Sequence, residues 1–380
     1  MSTSTADSLD AIREMVREFA QGEITPHVRE WDERSHFPTN VFRQLGELGM
    51  LGVIIPEAYG GAALSYRHYV TIIVELAAVE PGIALSVAAH NSLCTNHIYM
   101  FGNEAQRQRW LPRLAGGEIL GAWGLTEPEA GSDAGGTKTV ARRDGDGWVL
   151  SGQKTFTTHG NAGGVAVVTA RTSPGDDPHG ISAFVVPMDL PGVVRGKKED
   201  KVGMRISDTS SLILEDVHLG ADALLGREGE GFIQAMEVLD GGRISIAALG
   251  VGIAQGAFRA ALAYARERRQ FGRPIASFQA IQFKLADMST LVAAAELLTM
   301  RAADAKDEGE KTTLLSAQAK VFASEAAVRV SEEAVQVHGG YGYIKDYPVE
   351  KFWRDSKLCT IGEGTSEIQR MVIARQLLKG

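Results

Sequence analysis

Phe278, Ile281, Leu285, Met288 and Val292 step by three, four, three and four, the spacing that keeps side chains on one face of a helix. A second long segment, from about Thr313 to Val337, and a third, from Arg243 to Arg268, are also helical in pattern. Long helices joined by short connections can bury their stripes only against one another, so residues 230–380 are expected to form a helical bundle. Upstream the texture differs. Trp148-Val149-Leu150, Val165 to Thr169, Ile181 to Val186 and Leu212-Ile213-Leu214 are short apolar or β-branched runs. Between them lie turn residues, among them Asp144-Gly145-Asp146-Gly147 and Pro174-Gly175-Asp176-Asp177-Pro178. A β domain over 120–229 follows. Residues 1–119 are helical again: Leu9, Ile12, Val16 and Phe19 form one stripe, Val41, Leu45 and Leu48 another, and Tyr69 to Val79 a third element. The expected class is mostly α with a central β domain. No long helices alternate with the strands, which disfavours a doubly wound dinucleotide fold.

Bulk properties narrow the function. A chain of 380 residues with 44% hydrophobic and 23% charged residues reads as an ordinary globular protein. Its formal charge of −8 argues against nucleic acid as a partner. The start lacks a basic, apolar signal region, and no apolar run is read as a membrane span. Cys94 and Cys359 are far apart, which fits a reducing, cytoplasmic setting better than a disulfide. Cys359 stands near Glu363 and could be a reactive thiol or simply a small buried residue.

Gly250-Val251-Gly252-Ile253-Ala254-Gln255-Gly256 comes close to a dinucleotide fingerprint. Its last glycine is one residue too far, and no strand precedes it, so close helix packing is the better account. The histidines form no metal-like pair on one helical face, and no Walker-type loop is present.

Four segments carry candidate chemistry. Leu125-Thr126-Glu127-Pro128-Glu129-Ala130-Gly131-Ser132-Asp133 offers backbone amides to a heterocycle or phosphate, or is a solvated turn. Lys154-Thr155-Phe156-Thr157-Thr158-His159-Gly160 combines one ring with three threonines, enough to stack on a cofactor and bond its edge; an ordinary strand is the alternative. Arg266, Arg268, Arg269 and Arg273 could hold a pyrophosphate or be solvated charge at a helix end. Gly362-Glu363-Gly364 sets one carboxylate on a bend ahead of a helix whose apolar side is Ile368, Met371 and Val372, with Thr365 or Ser366 as cap. That is a place for a general base, or an exposed glutamate in a glycine-rich turn.

Taken in order, these segments resemble the acyl-CoA dehydrogenases over essentially the full length, most closely the short-chain branch. Gly196-Lys197-Lys198-Glu199-Asp200-Lys201, Arg268 to Gly272 and Gln336 to Gly342 belong to the match as well. The resemblance implies an N-terminal helical domain, a middle β-barrel-like domain and a C-terminal four-helix bundle. It also implies FAD between the last two, and a homotetramer built as a dimer of dimers. It further implies that Leu125, Thr126, Gly131, Ser132, Phe156, Thr157 and Thr158 face the flavin. Arg268 and Gln279 would reach a neighbouring subunit's FAD, while Phe271, Gln336, Gly339, Gly340, Thr365 and Glu367 complete the cofactor contacts. Ser132, Asp240, Arg243 and Gly364 would touch the acyl-CoA.

The implied reaction is α,β-dehydrogenation to the trans-2-enoyl thioester. Glu363 takes the α-proton, the β-hydride passes to flavin N5, and an electron-transfer flavoprotein accepts the electrons. The carboxylate should be held ionised by the helix dipole in the empty site and strengthened as a base when an acyl chain displaces water. Some branches of the family carry their glutamate at the position matching Gly242, where glycine leaves the duty to Glu363. Phe156, Thr157 and Gly362 depart from the common tryptophan, isoleucine and tyrosine. The missing tyrosine suggests tolerance for branching or a ring near the α-carbon. An acyl-CoA oxidase and a non-catalytic CoA-binding paralogue are the alternative readings.

Overall fold

The computed structural model describes residues 5–175 and 177–379, so residues 1–4 of the start and Asp176 of the predicted turn lie outside the described residues. Helices α1 (Thr5–Phe19), α2 (Val28–Arg34), α3 (Thr39–Glu47), α4 (Tyr66–Ala77), α5 (Pro81–Ala89), α6 (Asn96–Phe101) and α7 (Glu104–Ala115) come first. Pro112, read as closing this region, lies inside α7. That helix begins at a capping box, with Asn103 and Gln106 each bonding the other's backbone N–H.

Strands β1 (Leu120–Gly124), β2 (Val140–Asp144), β3 (Gly147–Thr158), β4 (Gly163–Arg171), β5 (Ile181–Pro187), β6 (Val193–Lys198), β7 (Thr209–Leu219) and β8 (Leu224–Leu225) form one sheet. Its order is β6-β7-β3-β2-β4-β5-β8, with β1 pairing in parallel on β4. The predicted Asp144–Gly147 turn closes the β2–β3 hairpin, and Gly145 supplies the left-handed φ of +62°. Only Val140 and Arg171 join β2 to β4, so the sheet folds over at that seam. Trp148, Leu150 and Leu212 from one half then meet Ala166, Phe184 and Val186 from the other in a single barrel-like core.

The remaining elements are α8 (Gly231–Glu267), the short hairpin β9 (Arg269–Gln270) and β10 (Arg273–Pro274), then α9 (Gln279–Asp307), α10 (Thr313–His338), α11 (Val349–Cys359) and α12 (Ser366–Leu377). Helices α8, α9 and α10 pack on one another, α11 and α12 complete the bundle on α10, and α4 docks on α8 and α9. The glycines of the near-fingerprint are packing devices. A Cβ on Gly250 would lie 2.8 Å from Ala323 O, on Gly252 2.4 Å from Val74 O, and on Gly256 2.5 Å from Phe352 Cζ. Each lets a different helix approach α8 closely.

Contrary to the reading that no apolar run approaches a span, α8 is long and apolar enough to cross a membrane by length and composition. Its most apolar window is 67% buried inside the protein, which accounts for that composition by helix packing.

A buried ion network fastens the three regions. Lys351 on α11 bonds Glu80, ahead of α5, at 2.8 Å and Asp355 at 2.6 Å, and Asp355 accepts the Met204 N–H from the loop between β6 and β7. The end of α11 leads directly into the Gly362–Gly364 turn.

Candidate active site

The turn between α11 and α12 has an unusual backbone. Glu363 adopts φ +53° and Gly364 φ +89°. The left-handed region is strained for a non-glycine residue and persists only when its surroundings enforce it. Here they do. Lys320 Nζ, from α10, donates to the Gly364 carbonyl at 2.6 Å. Gln369 Nε2, from α12, donates to the same oxygen at 3.0 Å and to the Glu363 carbonyl at 3.2 Å. A Cβ on Gly364 would stand 2.7 Å from Gln369 Nε2, so glycine is required there for conformation, apart from any substrate contact. Thr365 is the cap of α12, its Oγ1 accepting the Ile368 N–H.

The bend turns the Glu363 carboxylate inward against α8. The residue as a whole is half-buried, but Oε2 has no exposed surface and no hydrogen-bond partner. It stands 2.1 Å from the point that a Cβ on Gly242 would occupy. Burial pushes the carboxyl up to about 7, against the opposing pull of Lys320 and Arg243. Burial thus already raises the carboxyl before any ligand arrives, where the expectation was a glutamate held ionised in the empty site. Among the described residues the Glu363 N–H has no acceptor.

Arg243 is buried beside this carboxylate, its guanidinium bonded to Asp240 and its Nε unpartnered. Asp240 is fixed in turn by Thr313 Oγ1 at 2.7 Å. Asp240, Gly242, Arg243, Glu363 and Gly364 thus gather at one place. Cys359 is buried nearby, with burial pushing its thiol up to about 12, which suits packing and not nucleophilic chemistry.

The two segments read as flavin-facing are joined to each other. Thr155 N–H donates to Thr126 O at 2.8 Å, and Lys154 Nζ to Leu125 O at 3.2 Å and Glu127 Oε1 at 2.6 Å. Glu127 also accepts the backbone N–H groups of Lys138 and Thr139. Burial draws Lys154 down to about 8, whereas Lys154 and the hydrogen-bond donors hold Glu127 below the usual range against its own burial. At 2.6 Å inside the protein we read the pair as charged on both sides. Leu125 packs with Leu93, Val238 and Leu239, and Leu93 Cδ2 lies 3.2 Å from the Cβ point of Gly242. This apolar cluster links the β-domain loop to the carboxylate.

Several features of these segments suit a planar, hydrogen-bonding cofactor. Phe156 sits in a bulge at φ +52° and is 69% exposed, while Thr157 is buried with Oγ1 unpartnered. Thr158 is half-buried at the end of β3, opposite Thr209. Gly131 and Ser132 are exposed, and a Cβ on Gly131 would meet nothing within 4 Å. Arg268, Gly339 and Gly340 line one groove of about 490 Å³, Arg268 lying over the Tyr341 ring at 5.2 Å. A Cβ on either glycine would project into open space, leaving a cradle beside the Arg268 guanidinium. Thr365 and Glu367 line a second groove, of about 450 Å³. Gln336, Phe271 and Gln279 are exposed and form no wall of either groove. One chain alone therefore presents the expected cofactor residues as separate patches.

Comparison with known proteins decides the family. The family models for the acyl-CoA dehydrogenase N-terminal, middle and C-terminal domains match residues 6–118, 122–217 and 229–378. The chain belongs to the acyl-CoA dehydrogenase family. It is 50% identical to the "Probable acyl-CoA dehydrogenase YngJ" of Bacillus subtilis (strain 168), over 97% of each. It is 43% identical to the "Acyl-CoA dehydrogenase, short-chain specific" of Clostridium acetobutylicum, over 97% of this chain and 98% of that one. Among solved structures, the butyryl-CoA dehydrogenase of Megasphaera elsdenii superposes at TM-score 0.97 with 42% identity, covering both chains fully. A chain from the structure of the electron transferring flavoprotein of Acidaminococcus fermentans superposes at 0.98 with 44% identity, again over both full lengths. This acyl-CoA dehydrogenase is an oxidoreductase acting on acyl-CoA, its cofactor is FAD, and its three-domain fold is that of the family.

Lys320, Gln369 and the Lys154–Glu127 pair escaped the sequence reading. For Lys320 a signal existed. Ser316, Lys320, Ala323, Ala327, Val330, Ala334 and Val337 recur at steps of three and four, so the lysine lies on the buried stripe of α10.

Proposed function

We propose that this acyl-CoA dehydrogenase converts a short-chain acyl-CoA to its trans-2-enoyl thioester, with Glu363 as the α-proton base. The observation that carries this reading is the Glu363 carboxylate, buried against Gly242 with Oε2 unpartnered in a turn of enforced backbone geometry. A structural glutamate would be paired; an idle buried carboxylate is expensive and marks a site of chemistry.

A base near pH 7 matches the demand of abstracting a weakly acidic proton. Burial keeps the Glu363 carboxylate poorly solvated, which raises its proton affinity. Its free backbone N–H is available to the thioester carbonyl, where negative charge grows as the α-proton leaves. Asp240 and Arg243 hold the polar side of the same space, and Leu93 and Leu125 its apolar side. FAD, when bound, would supply the acceptor for a hydride from the β-carbon. Phe156, Thr157 and Thr158 on one side, and Arg268, Gly339 and Gly340 on a neighbouring subunit, are the residues that would hold it.

Gly362 supports acyl groups that are branched or cyclic near the α-carbon. A Cβ there meets only Leu358, at 3.5 Å or more, so the missing side chain leaves room rather than relieving a clash. Exposed Phe283, Leu297, Met371, Leu377 and Leu378 support burial in a homotetramer. The likeness to a chain solved with an electron transferring flavoprotein supports that class of acceptor over oxygen. Two free, buried cysteines suit a cytoplasmic setting.

Anaerobic titration of the purified flavoprotein with straight, branched and alicyclic short acyl-CoAs tests the reading. Flavin bleaching by a short thioester is expected. A flavin left oxidised by every member of the series would contradict it.

A further inference from the structure

Lys320 is fully buried, 44 residues from Gly364 in sequence, and forms no ion pair with any described carboxylate. Burying an unpaired ammonium is costly, and an apolar side chain of the same length would fill the space without that cost. What the ammonium does is donate to the one carbonyl at the hinge of the left-handed Glu363–Gly364 pair. We propose that Lys320 is a positioning residue for the base: its bond to Gly364 O locks the turn that presses the Glu363 carboxylate against Gly242, and its buried charge beside that turn favours a negative carboxylate there.

The proposal rests on the reading of Glu363 as the base. The charged and titratable groups around the pair are Arg243 from α8, Tyr69 from α4, Cys359 ending α11 and Glu367 on α12. Arg243 is committed to Asp240, which leaves Lys320 as the cation joined to the turn itself. Burial draws Lys320 down to about 8, so it remains mostly charged at neutral pH. Removing it withdraws a positive charge that favours the ionised glutamate, and the Glu363 pKa must rise. A base has to be deprotonated to act, so the acid limb of the pH profile moves upward.

The test compares wild type, Lys320→Met, Lys320→Gln and Glu363→Gln as FAD-loaded enzymes. Gln369 still bonds Gly364 O when Lys320 is gone, so the methionine variant is expected to fold. It should lose kcat about 10- to 100-fold while KM changes less than about threefold, because a misplaced base affects chemistry more than binding. Its kcat/KM acid limb should rise by about one pH unit. Lys320→Gln restores a donor without the charge; it should recover part of kcat and keep the raised limb. It also carries the test if the methionine variant does not accumulate. An unchanged acid limb in the folded variants, even with a lowered melting temperature, would overturn the proposal. Near-normal turnover by Glu363→Gln would instead remove the base reading beneath it.

Discussion

Glu363 and Gly242 share one volume: the Oε2 atom of Glu363 lies 2.1 Å from where a Cβ on residue 242 would stand. No side chain fits at 242 while the carboxylate points inward. Gly242→Ala should therefore keep its fold and FAD, because the end of the Glu363 side chain can swing aside, yet lose turnover by about 100-fold through displacement of the base. Steady-state kinetics beside the flavin absorbance of the purified variant check this. Wild-type kcat would mean that the carboxylate does not act from this position.

Keeping the Glu363 carboxylate buried lowers stability at neutral and alkaline pH. The folded carboxyl titrates near 7, against 4.5 for an ordinary glutamate. Between those values the folded state holds a proton that the unfolded chain has released, so stability falls as pH rises. The loss is complete above pH 7 and absent below about pH 4.5. Glu363→Gln should thus be more stable than wild type at pH 8 by about 1–3 kcal/mol, with the gain vanishing near pH 4.5. Paired denaturation curves at the two pH values measure it.

The Lys351 network should behave in the opposite way. Burial works against the Lys351 charge, but Asp355 and Glu80 together outweigh it and hold the ammonium above the usual lysine range. Glu80, buried likewise, is pushed up to about 7 despite the pull of Lys351. Lys351→Met would strand two buried carboxylates at the junction of α5, α11 and the β6–β7 loop, costing about 3–5 kcal/mol. Chemical denaturation should show that loss; a change under about 1 kcal/mol would mean that the network is solvated.

Gly362 offers a test of substrate shape. Because a Cβ there meets only ordinary contacts, Gly362→Tyr should fold and load FAD. The ring would fill the space beside the thioester, so kcat/KM for a branched or alicyclic acyl-CoA should fall at least about tenfold more than for butyryl-CoA. Equal losses across the series would detach Gly362 from specificity.

The order of helical, β and helical regions was legible because it depends on local periodicity, as α9 and α10 show. The glycines at 250, 252 and 256 were legible for the same reason: their spacing failed the cofactor pattern inside a helical run. Strands β1, β2 and β6 were not read, since β2 carries Arg142, Arg143 and Asp144, β6 carries Arg195 and Lys197, and β1 contains two glycines. Glu363 stood out through its glycine neighbours. What holds it did not: Lys320 reaches the turn from α10, 44 positions away, and Gln369 acts through a side-chain direction that no short-range pattern shows, while Gly242 was named only by resemblance. Lys351 and Glu80, 271 positions apart, are a wider case. The cofactor residues were named by resemblance, and one chain leaves them in separate patches.

The most direct measurement mixes wild type and Glu363→Gln anaerobically with butyryl-CoA and follows the flavin absorbance. Wild type should bleach rapidly. The variant should show the small spectral shift of thioester binding while its bleaching slows by at least about 1,000-fold, the loss expected when a general base is removed from a preorganised site. Bleaching of Glu363→Gln at near the wild-type rate would contradict the assignment of the base.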